Sequence, residues 1–196
     1  EIKLLMRNKN PRKTFLFAIA LVLLISLIIA FTPIYDSQFM TNFWCIYCFA
    51  IFGGMLLIKV MSYEANYIET LFIHKENILK LLRAKYYFFC MLLLIPFILM
   101  LPMVFMGKWN IAMLVAYGVF TAGCQYCLIM QMAVYNKQKI ALDEKIVGKG
   151  GIENSYMQIL TEAIAFLFPL AIIQSLEIIA GRYIAWSIMF TIGIIF

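Results

Sequence analysis

A chain of 196 residues that is 65% hydrophobic and only 13% charged, with mean hydropathy +0.93, has too few polar side chains to cover a water-soluble domain, which is nearer half apolar and a quarter charged. Its formal charge of +6 does not indicate a nucleic-acid partner, because the positive residues gather in alternate connections between apolar runs, a pattern that orients a chain in a bilayer. A lone secretory leader is excluded too, since apolar stretches recur to the last residue.

The expected fold is therefore all-α: a polytopic transmembrane helical bundle filling residues 1–196 as a single transmembrane domain. A span needs about 20 apolar residues to cross roughly 30 Å of hydrocarbon. After a basic, amphipathic entry segment at 1–14, the first span is predicted from Phe15 to Thr32, stopped by Pro33. The second runs from Phe43 to Met61 and carries Gly53 and Gly54, where another helix can approach closely. Residues 62–85 follow as a charged connection in which Ile68, Leu71, Phe72, Leu79 and Leu82 fall at helical spacing, the pattern of an amphipathic helix or helix pair lying along a membrane face.

The third span is predicted from Tyr86 to Met106 and the fourth from Ile111 to Tyr135. A loop from Asn136 to Ser155 comes next, containing Gly148, Gly150 and Gly151. The fifth span, Tyr156 to Ala180, contains Pro169, which kinks a helix or marks a re-entrant break because proline has no N–H and clashes one turn back. A sixth span opens near Tyr183 and is cut short at Phe196. With Glu1 at the start instead of Met, this suggests a piece of a longer polypeptide.

Orientation follows from Lys and Arg. Fourteen lie in the entry segment and the second and fourth connections, against only Lys108 and Arg182 in the alternate ones. The positive-inside rule then puts the N-terminus in the cytoplasm, the chain being multi-pass in the inner (cytoplasmic) membrane. Connections around Asp36 and Trp109 are very short, so the extramembrane mass is expected on the cytoplasmic side.

Polar groups inside the spans are few. Glu162 and Glu177 both fall on the fifth span with Gln158 and Gln174 nearby. An acid in hydrocarbon is unfavourable unless it faces a cavity or a partner. These four are the candidate lining of a translocation path; the bland reading is interfacial solvation, with Glu177 pairing to Arg182. Tyr86, Tyr87, Trp109, Tyr117, Tyr183 and Trp186 sit near predicted span ends, as rings of an aromatic belt do.

The pairs Cys45/Cys48 and Cys124/Cys127 have C-x-x-C spacing. Alternating topology puts Cys45 near one end of its span and Cys124 about 15 to 20 Å away in depth, which opposes one four-thiolate metal site. Cys45 and Cys48 alone would suit a membrane-embedded thiol oxidoreductase, against the plainer reading of small residues at helix contacts. His74 is the only histidine and has no evident Ser or Cys partner. No G-x-x-x-x-G-K-[ST] phosphate loop occurs, and Gly148-Lys149-Gly150-Gly151 has the wrong spacing. No catalytic residue, metal ligand or cofactor is expected.

A glutamate just after the second span (Glu64), an apolar turn at Leu71, a basic stretch from Lys75 and Ala84-Lys85 at the head of the third span resemble the membrane subunit of type 2 ABC transporters. The entry run Lys3-Leu4-Leu5-Met6-Arg7-Asn8-Lys9-Asn10-Pro11-Arg12 is similar to that family's entry helix, particularly in permease-like proteins of Bacteroidetes built from two such halves. The resemblance implies six spans, a cytoplasmic coupling helix between spans two and three, and a chain that forms half a transporter. It also implies two partners: an ABC ATPase that hydrolyses ATP, and a second transmembrane half from the same polypeptide or another copy. Glu64, Leu71, Phe72, His74 and Lys75 would couple ATPase to membrane. Asn66 and Ile73-His74-Lys75 stand where many relatives have a glycine and a proline. That departure keeps a non-transporting scaffold or accessory subunit as an alternative.

Overall fold

The computed structural model describes residues 2–33, 37–64, 75–135 and 155–195, and every element in them is helical. In chain order they are α1 (Ile2–Arg7), α2 (Lys9–Phe31), α3 (Gln38–Leu56), α4 (Lys75–Leu92), α5 (Leu94–Phe105), α6 (Ile111–Phe120), a π-helical turn at Thr121–Gln125, α7 (Tyr126–Tyr135), α8 (Ser155–Ala180) and α9 (Arg182–Ile195). Two 3₁₀ turns, Leu57–Lys59 and Ser62–Glu64, follow α3.

Five stretches are long and apolar enough to cross a membrane: Lys9–Phe31, Gln38–Lys59, Leu79–Phe105, Ile111–Val134 and Ile159–Ala180. The chain is thus a multi-pass, helical, membrane-associated protein. The sixth apolar helix, Arg182–Ile195, has 14 residues, shorter than the roughly 20 a span needs. The second and fourth stretches are each 61% buried, the other three 22 to 28%. Those two form the centre, and the rest surround them with apolar faces outward, as lipid-facing helices do.

Local chemistry sets the ends. Asn8, extended at φ −89°, separates α1 from α2, and Pro11 is tolerated in the first turn of α2 because that N–H has no helical acceptor. Ser37 caps α3 by accepting from the Met40 N–H, and Asn110 caps α6 by accepting from Ala112 N–H at 2.9 Å. Gly107 and Gly181, both at positive φ (73° and 86°), end α5 and α8. Lys108 donates to the Ile29 and Thr32 carbonyls (2.8 and 3.3 Å), satisfying free acceptors at the C-terminus of α2.

The helices alternate in direction. Gln38, Asn42, Lys108, Trp109, Arg182 and Trp186 gather at one end, the far end. Lys13, Lys59 and Glu162 gather at the other, the basic end.

Two sequence expectations meet the helices here. The described part of the 62–85 connection, from Lys75, is helical and continues into the third span as α4, while residues 65–74 of that connection lie outside the described residues. Glu76, Leu79, Leu81, Leu82 and Ala84 favour helix, and no Gly or Pro interrupts them. Pro169 neither breaks α8 nor makes a re-entrant loop, for the helix is continuous from Ser155 to Ala180.

Glycine contacts join the layers. A Cβ on Gly53 would meet the Tyr126 ring at 2.6 Å, so α3 and α7 touch there. Gly123, in the π turn, lies against the Gly193 carbonyl of α9, and a Cβ on Gly193 would come within 2.7 Å of Phe120 backbone atoms.

Candidate functional site

At the far end, buried polar side chains from three helices form a hydrogen-bonded chain. The Tyr117 hydroxyl on α6 donates to Asn42 Oδ1 on α3 at 2.9 Å, and Asn42 Nδ2 donates to Glu177 Oε2 on α8 at 2.8 Å. Asn42 is 1% exposed and Tyr117 fully buried. The Trp186 indole of α9 lies beside the Tyr117 hydroxyl. Glu177 Oε1 and Gln174 Nε2, one helical turn apart, are buried with no hydrogen-bond partner among the described residues. Next to this chain is a cavity of about 460 Å³ whose wall includes Thr41, Asn42, Lys108, Arg182 and Trp186.

Midway along the bundle, Pro169 has no N–H to give the Ala165 carbonyl four residues earlier. Gln125, fully buried in the π turn, supplies the missing donor through Nε2 at 2.9 Å. The π turn has the same problem in mirror image, since its widened ladder frees carbonyls. Tyr86 donates to one of them, that of Ala122, at 2.5 Å. Both irregular helices are thus satisfied by side chains from neighbours, as hydrocarbon requires.

Toward the basic end a second cavity, about 670 Å³, lies between α2 and α8 with α3 as its floor. Lys13, Lys59 and Glu162 are its charged walls, and Phe17, Tyr47, Met55 and Phe166 are among its apolar ones. Gly54 leaves room for the Glu162 carboxylate, which would lie 3.5 Å from a Cβ at that position. Phe166 meets Phe43 edge-on with ring centres 5.0 Å apart, tying α8 to α3 above the cavity.

Of the expected path residues, Glu162 lines the basic-end cavity, whereas Gln174 and Glu177 belong to the far-end cluster. Fifteen residues of helix, about 22 Å, separate the two glutamates. Gln158 lies in the second turn of α8. Glu177 does not pair with Arg182: Asn42 takes its Oε2, and Arg182 is exposed. Of the expected coupling residues, Leu71, Phe72 and His74 lie outside the described residues, Glu64 ends a 3₁₀ turn, and Lys75 opens α4.

Three expected belt aromatics are interior. Trp109, Tyr117 and Trp186 are buried, while Tyr87 and Tyr183 are exposed. Adjacent helices enclose the first three, and the Tyr117 hydroxyl is held by an amide instead of interfacial water.

All five cysteines are free thiols; Cys45 and Cys48 are fully buried on α3, and Cys127 is exposed.

Sequence reasoning missed Asn42 and Gln125, and had Tyr117 only as a belt ring and Lys85 only as a motif position. Lys85, at the head of the third span, is fully buried, and its signal was a cation within an otherwise apolar helical face. Asn42 and Gln125 were visible as lone amides in apolar runs, each needing a partner inside the bilayer.

The cluster can be tested directly. Asn42→Leu removes the group that satisfies both Tyr117 and Glu177, and should lower stability by about 2 kcal/mol. Glu177→Gln keeps an acceptor for the Asn42 amide and should change stability by less than about half as much. Thermal unfolding of both variants in one mild detergent makes the comparison.

No curated protein and no solved structure matches the chain. The model of DUF5687, a family of unknown function, matches residues 1–196, and the chain belongs to that family.

Proposed function

We propose that the chain is the membrane-spanning permease component of an ATP-binding-cassette exporter, working with a partner ATPase and a second transmembrane half. It sits in the cytoplasmic membrane with the basic end toward the cytoplasm, where the positive-inside rule puts it. The observation that carries this reading is the pair of cavities, one at each end of the bundle, separated by a layer in which the fourth span has a π turn and the fifth an internal proline. Helices with a π turn and an internal proline have a natural place to bend, and alternating access needs such a place. The apolar walls suit a hydrophobic or amphipathic substrate.

Force from the ATPase would enter at residues 62–85, through Leu71, Phe72, His74 and Lys75, with Glu64 tying the segment to the second span. Because α4 continues from Lys75 into the third span as one helix, a push at its head would reach the bilayer without an intervening joint. The thiol oxidoreductase reading draws less support, since Cys45 and Cys48 are sealed between helices and a thiol must be reached to exchange.

A pull-down of the full-length protein from native membrane tests the proposal. An ATP-binding-cassette ATPase should co-purify, and Phe72→Asp should release it while leaving the protein inserted. The Phe72→Ala/Lys75→Ala double variant should lose transport-linked stimulation of the ATPase. Purification without an ATPase, or stimulation unchanged in the double variant, sinks the reading and leaves the scaffold alternative.

A further inference from the structure

We propose that the basic-end cavity is a binding site for a single anionic amphiphile, with a phosphate or carboxylate head at Lys13 and Lys59 and an alkyl tail along Phe17, Tyr47, Met55 and Phe166. This does not rest on the presence of an ATPase, since it concerns binding alone.

Three observations converge on it. The first is charge: two lysines and one glutamate line the cavity, leaving one net positive charge to be matched by one negative charge. The second is division of the walls. The charged groups come from α2, from the 3₁₀ turn that follows α3, and from α8, and aromatic and aliphatic side chains of α2, α3 and α8 continue toward the bilayer midplane. A ligand with a charged head and an apolar body fits that order, whereas a free polar solute leaves the apolar wall unmatched. Size is the third, because about 670 Å³ admits a headgroup and part of its chains but not a folded peptide.

Position adds a source. Phe17 is 59% exposed on the outer face of α2, so the cavity edge lies where a membrane lipid would reach it sideways. Glu162 sets the preference: it faces the lysines from α8, offsets one of them, and repels a second negative charge on the ligand. The site should therefore favour a singly charged head over a multiply charged one.

The test is lipid retention by the full-length protein through exchange into mild detergent, read by native mass spectrometry. Phosphatidylglycerol and phosphatidylcholine of matched chains are the probes, with inorganic phosphate in a separate arm. Wild type should retain one phosphatidylglycerol in preference to phosphatidylcholine by about fivefold, the scale one net positive charge supplies. Lys13→Gln/Lys59→Gln should abolish the preference. Glu162→Gln should strengthen it and admit doubly charged lipid. Arg7→Gln/Lys9→Gln, which removes basic residues outside the cavity, should leave it unchanged.

Equal retention of the two lipids by wild type overturns the proposal. So does a loss in Arg7→Gln/Lys9→Gln as large as that in the cavity variant, which would mean a general basic surface. If Lys13→Gln/Lys59→Gln does not fold, Glu162→Gln decides alone, and an unchanged or weaker preference rejects the site. Displacement of the lipid by millimolar inorganic phosphate would reassign the site to the free anion and reject the amphiphile.

Discussion

Gly193→Val should destabilise the protein by about 3 kcal/mol or more, the upper range for overpacking, and should largely prevent recovery of a monodisperse sample. A Cβ on Gly193 meets the Phe120 N and Cα and the Val119 carbonyl carbon, all at 2.7 Å. Those are backbone atoms, so no rotamer change relieves the clash; either α9 must lift from α6 or the π turn must move. Gly123 faces the Gly193 carbonyl from the other side, so lifting one contact opens both. Ile194→Val, one residue on at a 63% exposed position, should be nearly neutral and controls for handling. Fluorescence-detected size exclusion after a temperature ramp reads both. A melting temperature for Gly193→Val within a degree of the control would mean that the seam between these helices is not close-packed.

Gln125→Leu should lower stability by roughly 1 to 2 kcal/mol, and Pro169→Ala should return most of it. Leucine leaves the Ala165 carbonyl without its side-chain donor. An alanine at 169 restores the N–H that proline lacks, and the helix can then satisfy that carbonyl by itself. The two substitutions should therefore be strongly non-additive, with the double variant more stable than Gln125→Leu alone. Gln125 Oε1 is itself buried without a partner among the described residues, so its removal offsets part of the loss and keeps the estimate near the lower end. Unfolding of all four proteins in the same detergent closes the cycle. Additive effects would show that the amide and the proline do not answer each other.

That pairing marks what the sequence could and could not reveal. Run length located the helices of the fourth and fifth spans to within a residue at each end, because a bilayer imposes one length on any crossing helix. Pro169 was readable as an irregularity, yet nothing local to it names Gln125, which is 44 residues earlier and arrives only when the helices pack. Asn42 and Glu177 tell the same story. The acid was singled out for its cost in hydrocarbon as a candidate path residue, with its sequence neighbour Arg182 as the plainer partner, whereas the group that holds it is on α3. The helix that carries the third span is longer than the apolar run that revealed it, because charges at Lys80, Arg83 and Lys85 limit what lipid tolerates, not what a helix tolerates. Three tyrosine and tryptophan rings expected at the interface went inside, because proximity to a span end does not say which face of the helix they occupy.

Gly181 leaves a single residue between Ala180 and Arg182, and so short a joint has no slack. A twist of α8 about its own axis has no linker in which to dissipate, so α9 must swing with it, carrying Gly193 across the backbone of the fourth span. The proline position on one helix and the π turn on another are thereby linked. A disturbance at Glu162 should register at Gly123, on the neighbouring span, before any loop has changed shape.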